Sequence, residues 1–225
     1  MKSLLRCTLF LFFFFEVFGV GFGQRVLPCP IIFIHGLSGN YNSWNEFATY
    51  LQYNAGLNVP INGSSLNNLN FSLNHDGNNN TSNASSDYRD LTYEPSLGNC
   101  DGYIVDFNFG TKGNQAAIFK QGLAIRDAIK HVRNVTGVDK VILVGHSMGG
   151  LAARDYLQNS SKWQSDGQHH VAKLVTVGTP HGGSNGSGFG IFTDELSEAV
   201  RDLRYSYTTG YAGAYLFGGD RKSVV

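Results

Sequence analysis

Apolar and polar residues follow one another along the chain in blocks that predict strands and helices in turn. Residues 30–34 (PIIFI) form a continuous apolar run, which is typical of a strand buried on both faces of a parallel sheet. Similar runs at residues 102–108, 141–144 and 172–177 predict three further strands. We therefore expect a parallel sheet at the centre of the protein.

Between these runs, apolar residues recur at spacings of three and four, which predicts amphipathic helices. Ser43 and Glu46 form a capping-box pattern, which predicts a helix that reaches about Tyr53. Further helices are predicted over residues 115–135 and 151–157. Because strands and helices alternate, the predicted fold class is α/β, with a doubly wound, mostly parallel sheet.

Two segments depart from this alternation. Residues 58–99 are dominated by asparagine, serine and glycine, which predicts a partly disordered insertion at the surface. Residues 183–207 combine a glycine-serine run with a helix that carries Leu196, Val200 and Leu203 on one face. The second segment is therefore predicted to be a mobile lid over a neighbouring site.

Residues 1–23 have a basic start, an apolar stretch that reaches Phe15 and small residues just before Gln24. This layout is typical of a secretory signal peptide that is cleaved before Gln24. An uncleaved membrane anchor is the alternative, but about a dozen strongly apolar residues closed by Glu16 are short for a bilayer. The sequence thus predicts export, to the medium, the cell surface or the periplasm.

Composition narrows the class of protein further. The chain has 225 residues, and 17 basic and 17 acidic side chains give a formal net charge of zero. Since no basic run appears, we expect no nucleic-acid partner. The length after cleavage predicts one domain over residues 24–225. No cofactor and no metal are predicted.

The strand at residues 141–144 leads into Gly145-His146-Ser147-Met148-Gly149, a G-x-S-x-G pattern. With a strand before it and a helix after it, this pattern places the serine on a sharp turn. Glycines two residues before and two after leave room for the neighbouring chain. Ser147 is therefore the candidate nucleophile, at the carboxyl end of the sheet and near a helix N-terminus.

Three motifs in chain order carry a resemblance to a known family: His35-Gly36, the run from Gly145 to Gly150, and residues 178–183 (GTPHGG). Together they resemble the α/β-hydrolase superfamily, and within it the bacterial lipases and esterases similar to the inositol-deacylase-like lipases of glycosylphosphatidylinositol processing. The resemblance covers roughly residues 30–183. It implies that the backbone N–H groups of Leu37 and Met148 form an oxyanion hole for an acyl group attacked by Ser147. The residues implied to support the elbow are His35, Gly36, Gly145, His146, Gly149 and Gly150, and those implied to shape the pocket are Thr179, Pro180, His181, Gly182 and Gly183.

The motif histidines also have simpler interpretations. His35 and His146 are better explained as packing or turn residues whose imidazoles are satisfied locally than as general bases. His181 lies in the loop after the fourth predicted strand, and the resemblance assigns that loop to the pocket wall. We therefore favour a structural role for His181 over that of the catalytic base.

The resembled superfamily places its catalytic acid and histidine after later strands than those predicted here. After Ser147 the chain offers His169, His170 and His181, and none of them follows such a strand. Asp220 is the best-placed late carboxylate. We therefore expect that the chain lacks a C-terminal part with the acid and the histidine, and that by itself it is nearly inactive.

Two classes of function stay open at this point. The first is a secreted serine hydrolase of carboxylic esters, of lipase or carboxylesterase type, acting on a small-molecule or lipid ester with transient contact to a lipid surface. The second is a non-catalytic binding protein on a hydrolase fold. Thioesterase, amidase and acyltransferase chemistry use the same elbow. The sequence does not indicate the oligomeric state.

Signal-peptide cleavage leaves Cys29 and Cys100 as a pair. In the resembled fold, the strands at residues 30–34 and 102–108 lie side by side and parallel, so both cysteines arrive at the same edge of the sheet. The resemblance therefore implies a disulfide between them. The alternative is two buried free thiols.

Overall fold

The structure, a computed structural model, describes residues 25–73, 97–108, 115–184 and 198–203. Its centre is a five-stranded sheet in the order β2-β3-β1-β4-β5, with all strands parallel. The strands are β1 (Ile31–Ile34), β2 (Asn68–Asn70), β3 (Gly102–Asp106), β4 (Val141–His146) and β5 (Val171–Val177). The helices are α1 (Asn45–Asn54), α2 (Ile118–Thr136), α3 (Met148–Gln158) and α4 (Glu198–Leu203), with 3-10 turns at Tyr41–Trp44 and Ser160–Lys162.

Helices cover both faces of the sheet, so the predicted doubly wound α/β class is confirmed. Alternate residues of β1 point to opposite faces. Phe33 packs with Trp44 and Ala48 of the α1 layer, whereas Ile32 and Ile34 pack into the larger core beneath α2 and α3. Because both faces are covered, the central strands consist of apolar residues rather than alternating apolar and polar ones.

The predicted surface insertion at residues 58–99 is partly wrong. Its described part contains β2, which pairs in parallel with β3, and the side chains of Leu69, Phe71 and Leu73 are fully buried. Asn67 is buried just before β2, and its Nδ2 donates to the Pro60 carbonyl at 2.8 Å and to the Gly102 carbonyl at 3.0 Å. Residues 74–96, which contain most of the asparagine-rich run, lie outside the described ranges.

The first two predicted helices are confirmed with shifted starts. A 3-10 turn precedes α1, and the N-cap of this turn is Asn40, not Ser43. Ser43 is the reciprocal partner of Asn40 in the capping box. Helix α2 ends at Thr136, and its C-cap Gly137 adopts the left-handed conformation with φ 68°.

The described part of the predicted lid does not agree with a mobile flap. Helix α4 buries Ala199 and Leu203 and packs on the N-terminus of α2. The Glu198 carboxylate accepts hydrogen bonds from the Ala117 backbone N–H at 2.9 Å and from Lys120 Nζ at 2.9 Å. Since the α2 N-cap offers no side-chain cap of its own, this carboxylate supplies one and favours a fixed α4. Residues 185–197 and 204–207 of the predicted lid lie outside the described ranges.

The disulfide implied by the resemblance is not formed. Cys29 and Cys100 are both free thiols, although β1 and β3 are parallel neighbours as expected. Cys100 Sγ lies 3.8 Å from the Leu66 carbonyl oxygen, on the segment that leads into β2, and this orientation uses the thiol in packing. Burial raises the pKa of Cys100 to about 11, with a smaller contribution from Asp101.

Candidate functional site

The elbow after β4 places Ser147 between a strand and a helix. The strand ends at His146, and α3 begins at Met148. Ser147 has φ 52° and ψ −123°, a conformation that is strained for any residue with a Cβ atom. Its backbone N–H donates to the Val177 carbonyl at 2.8 Å, which ties the elbow to the end of β5.

The glycines around the serine are required by close contacts, with backbone atoms at Gly145 and Gly149 and with the Thr179 side chain at Gly150. A Cβ atom on Gly145 would lie 2.6 Å from Gly150 Cα. One on Gly149 would lie 2.5 Å from the His35 carbonyl oxygen, and one on Gly150 would lie 2.1 Å from Thr179 Oγ1. These distances are shorter than any normal contact, so the elbow tolerates only glycine at these positions.

The loop that follows β1 runs directly beside the nucleophile. A Cβ atom on Gly36 would lie 2.9 Å from Ser147 Cβ, so Leu37 is one residue from this closest approach. The loop closes on itself through the Gly39 N–H, which donates to the Gly36 carbonyl at 3.1 Å. Asn108 Nδ2 donates to the Gly39 carbonyl at 2.7 Å and holds the loop from the end of β3.

Asn108 is a functional candidate that the sequence reasoning missed. The signal was its position, because it follows β3 at the carboxyl edge, where parallel sheets carry their sites.

His35 is fully buried, and both nitrogens of its ring have hydrogen-bond partners. Its Nε2 accepts from the Phe107 backbone N–H at 3.1 Å, so the proton of the neutral ring is on Nδ1 and is donated to the Gly36 carbonyl at 2.8 Å. The ring also packs on the Phe107 ring, with the centroids 5.1 Å apart. His35 therefore connects β1, β3 and the loop beside Ser147.

His146 lies at the surface of the elbow. Its ring meets the Trp44 ring edge-on, with the centroids 6.4 Å apart. In addition, His146 Nδ1 lies 3.3 Å from the place that a Cβ atom on Gly36 would occupy. The packing role predicted for His146 stays a prediction.

The loop at residues 178–183 lies on the other side of the elbow. It forms tight turns in which the His181 N–H donates to the Thr179 carbonyl and the Gly183 N–H donates to the Pro180 carbonyl. Gly182 lies inside the second turn and is exposed. The predicted pocket loop is thus an ordered segment beside the helix that carries the nucleophile.

Within this loop, His181 is engaged with two described partners. Arg154 Nη1 contacts His181 Nδ1 at 2.8 Å, and His181 Nε2 contacts Thr176 Oγ1 at 3.1 Å. Burial lowers the pKa of His181, and the positive charge of Arg154 lowers it further. Burial also lowers the pKa of Arg154, which is only 2% exposed. Arg154 is a second residue that the sequence reasoning missed.

The other two late histidines lie away from the elbow, before the start of β5. His170 Nε2 contacts Asp166 Oδ2 at 2.7 Å, and its Nδ1 contacts Asp139 Oδ1 at 3.0 Å. The His169 ring packs edge-on against Trp163. Among the described residues, no histidine is hydrogen-bonded to the Ser147 hydroxyl, and Asp220 lies outside the described ranges.

Buried polar side chains lie behind Met148. Gln121 Nε2 donates to the Ala116 carbonyl at 2.9 Å and contacts Met148 Sδ at 3.6 Å. About two turns further along α3, Asp155 forms an ion pair with Lys162. Burial raises the pKa of Asp155 to about 7, against the opposing effect of Lys162, and burial lowers the pKa of Lys162. These side chains join α2 to α3 just below the elbow.

No helix within the described ranges combines the length and the hydropathy that a membrane crossing requires. In the same part of the chain, no cluster of three or more His, Cys, Asp or Glu side chains is placed to hold a metal ion.

Comparison with known proteins gives consistent similarities. A family model described as the PGAP1-like alpha/beta domain matches residues 26–187. Triacylglycerol lipases of Pseudarthrobacter phenanthrenivorans and Burkholderia plantarii are each 26% identical to the chain over 187 residues, which is 83% of this chain and 41% and 36% of theirs. The chain therefore spans about two fifths of the length of these curated relatives.

Among solved structures, a protein of Listeria innocua is 25% identical with a TM-score of 0.47, covering 72% of this chain and 54% of that protein. The mature Bacillus licheniformis lipase BlEst2 is 19% identical with a TM-score of 0.48, covering 85% of this chain and 60% of that lipase.

Proposed function

The chain belongs to the PGAP1-like α/β domain family, among the α/β-hydrolase lipases and esterases, and from this membership we propose that it hydrolyses carboxylic esters through Ser147. The observation that carries the proposal is the backbone of Ser147, with φ 52° and ψ −123° at the junction of β4 and α3. A nucleophile elbow needs a strained non-glycine residue at this turn, with glycines around it. Such strain is rare where a residue serves only in packing.

In the proposed reaction, Ser147 Oγ attacks the ester carbonyl carbon and its proton passes to a general base. The carbonyl π electrons move to the oxygen, which accepts hydrogen bonds from the N–H groups of Leu37 and Met148. Collapse of this intermediate breaks the bond to the alkoxy oxygen, which leaves as the alcohol with the proton, and water then releases the acid by the same route.

Two features of the site favour this chemistry. The N-terminus of α3 begins at Met148, so its dipole favours negative charge beside Ser147. The loop with Leu37 is fixed by Asn108 and His35, and fixed donors of this kind contribute about 10²–10³ in rate each. His35 and His181 bind other partners, so we assign the role of base to neither of them.

We propose that the substrate is an acyl ester of the lipid class, because the relatives named above are triacylglycerol lipases. On this proposal the loops at residues 36–40 and 178–183 form the two walls of the acyl site, and the protein contacts a lipid surface transiently. We also propose that residues 1–23 direct export and are removed before Gln24, which N-terminal sequencing of the natural protein tests.

A fluorophosphonate probe applied to the full-length natural protein tests the role of Ser147. We expect labelling of the wild type and none of Ser147→Ala. Ser161→Ala, which changes an exposed serine on the 3-10 turn after α3, is the matched control and should label normally. Labelling of Ser147→Ala at the wild-type rate would refute the proposed nucleophile.

The substrate class is tested with matched acyl groups presented as ester, thioester and amide. Fastest turnover of the ester supports a lipase or esterase. Faster turnover of the thioester or the amide would replace the ester assignment while keeping Ser147. Acyl-chain binding without labelling or turnover would instead indicate a binding protein on the hydrolase fold.

A further inference from the structure

Three residues around the loop at 178–183 form a connected set of hydrogen bonds, which we call the His181 clamp: Arg154, Thr176 and His181. A guanidinium can only donate, so Nδ1 of His181, which lies 2.8 Å from Arg154 Nη1, must be the unprotonated nitrogen. The ring proton is then on Nε2 and is donated to Thr176 Oγ1 at 3.1 Å. The neutral imidazole therefore links α3 to the end of β5.

The His181 clamp is directly connected to the backbone that holds the nucleophile. Thr176 is followed by Val177, whose carbonyl accepts the hydrogen bond from the Ser147 N–H at 2.8 Å. On the far side of the loop, Thr179 packs so closely on α3 that a Cβ atom on Gly150 would lie 2.1 Å from Thr179 Oγ1. The loop is thus fastened to the elbow on both sides of Gly178.

The loop needs these contacts because its two glycines make its backbone costly to hold in one conformation. Gly178 and Gly183 both have positive φ, 59° and 87°, and glycine is the residue that loses most conformational freedom when it is fixed. Apart from the packing of Thr179 on Gly150, the four residues between them are held by two local turns. His181 provides the side-chain cross-link to Arg154, across 27 residues of sequence.

We propose that His181 is a positioning residue for Ser147: as a neutral imidazole it holds the β5 end and the loop at 178–183 against α3, and so fixes the nucleophile and the wall of the acyl site. This role rests on the proposed function of Ser147. It differs from that of a general base, because the two ring nitrogens of His181 are used by Arg154 and Thr176.

The clamp is sensitive to acid. A protonated His181 would carry a hydrogen on Nδ1 facing the Arg154 guanidinium, so the contact would change from a hydrogen bond to a repulsion between two cations. Arg154 on α3 is the charged group that acts on His181 among the described residues, and Thr176 on β5 carries no charge. Because burial and Arg154 lower its pKa, the ring keeps its neutral form down to a pH below the ordinary 6.5.

Three variants of His181 separate positioning from base catalysis in the full-length protein. His181→Asn keeps an acceptor near Nδ1 for Arg154, His181→Gln keeps a donor near Nε2 for Thr176, and His181→Ala keeps neither. If misplacement of the nucleophile is the only defect, kcat of His181→Ala should fall about 10- to 100-fold with little change in KM. His181→Asn and His181→Gln should each recover part of that loss.

Two kinetic outcomes would overturn the proposal. Loss of kcat by about 10⁴-fold or more in all three variants, without recovery, would make His181 a base. A change in KM alone would make it a wall of the pocket without effect on Ser147. If the wild type is not labelled by the fluorophosphonate, it is the proposed function that fails; if the wild type is labelled and His181→Ala is labelled equally fast, it is the clamp that fails.

A measurement on His181 in the wild-type protein tests the clamp even if the variants do not fold. Nitrogen-15 NMR of the imidazoles at pH 7.5 should show His181 with a proton on Nε2 and none on Nδ1, titrating below pH 6.5, the ordinary value. Activity should fall with the same midpoint on its acid side. A proton on Nδ1 at pH 7.5 would contradict the clamp whatever the kinetics show.

Discussion

Gly122, inside α2, packs directly against the buried ion pair between Asp155 and Lys162, and we expect Gly122→Ala to destabilise the protein. A Cβ atom there would lie 1.9 Å from Asp155 Oδ2 and 3.3 Å from Lys162 Nζ. The same substitution in an exposed helix interior stabilises by about 0.8–1 kcal/mol, because alanine is the better helix former. The sign of the effect therefore distinguishes helix propensity from the packing seen here.

The magnitude follows from what the methyl group must displace. Both charged side chains are about 1% exposed, so the carboxylate has no solvent-facing space to move into. Breaking a buried ion pair costs about 3–5 kcal/mol. After subtraction of the helix-propensity gain, we expect the free energy of unfolding to fall by about 2–4 kcal/mol. For a protein of this size, each kcal/mol corresponds to a Tm shift of about 2–4 °C.

Urea unfolding followed by circular dichroism measures the effect, with the m-value as a check that the unfolded state is unchanged. The control is Gly122→Ala in a background with Asp155→Ala and Lys162→Met, which removes the carboxylate without leaving a buried unpaired charge. There the extra methyl should be neutral or stabilising. A gain in stability for Gly122→Ala in the wild-type background would refute the packing of α2 on α3 described above.

Three further predictions concern the elbow, β2 and the cysteines. Ser147→Gly should remove probe labelling and raise the free energy of unfolding by about 1 kcal/mol, measured in a thermal melt. The reason is that relief of strain of about 1–3 kcal/mol exceeds the entropy penalty of glycine. A less stable variant would contradict the strained elbow. Phe71→Ala should cost about 3–5 kcal/mol, since Phe71 is fully buried, whereas the control Tyr53→Ala, at a side chain that is 75% exposed, should cost under about 0.5 kcal/mol in the same urea titration. Iodoacetamide at pH 8 without reductant should alkylate Cys29 in the folded protein far faster than Cys100, whose raised pKa of about 11 leaves a thiolate fraction of about 10⁻³; resistance of both thiols until reduction would show that they are joined.

The sequence alone was sufficient for the parts of the fold whose physics is local. The aliphatic runs predicted the four strands β1, β3, β4 and β5. Burial on both faces, which requires apolar residues throughout, holds for β1 and β3, whereas most side chains of β5 are exposed or half-buried. The elbow was predictable for the same kind of reason. The conformation of Ser147 and the close contacts of Gly145 and Gly149 arise within a few residues of the motif and from the chain beside it.

Sequence patterns misled where polar residues are buried by partners distant in the chain. β2 was read as part of a surface insertion because asparagine is typical of loops, yet the buried Asn67 donates hydrogen bonds from Nδ2 to the carbonyls of Pro60 and Gly102. Helix α4 was predicted to move, yet Glu198 caps α2 across 81 residues of sequence. In neither case does the local pattern show the partner.

The surroundings of the site were decided by tertiary structure for the same reason. His181 could be recognised in its motif, but its tautomer and the positioning role we propose for it depend on Arg154. No sequence pattern marks Arg154, which reaches His181 only because α3 packs beside the loop. The cysteines are a second example. Adjacent strands make a disulfide feasible, but the Cys100 thiol faces Leu66 and both cysteines are free. Local sterics fix elements and turns, whereas the pairing of buried polar groups is set by the approach of elements that the sequence separates.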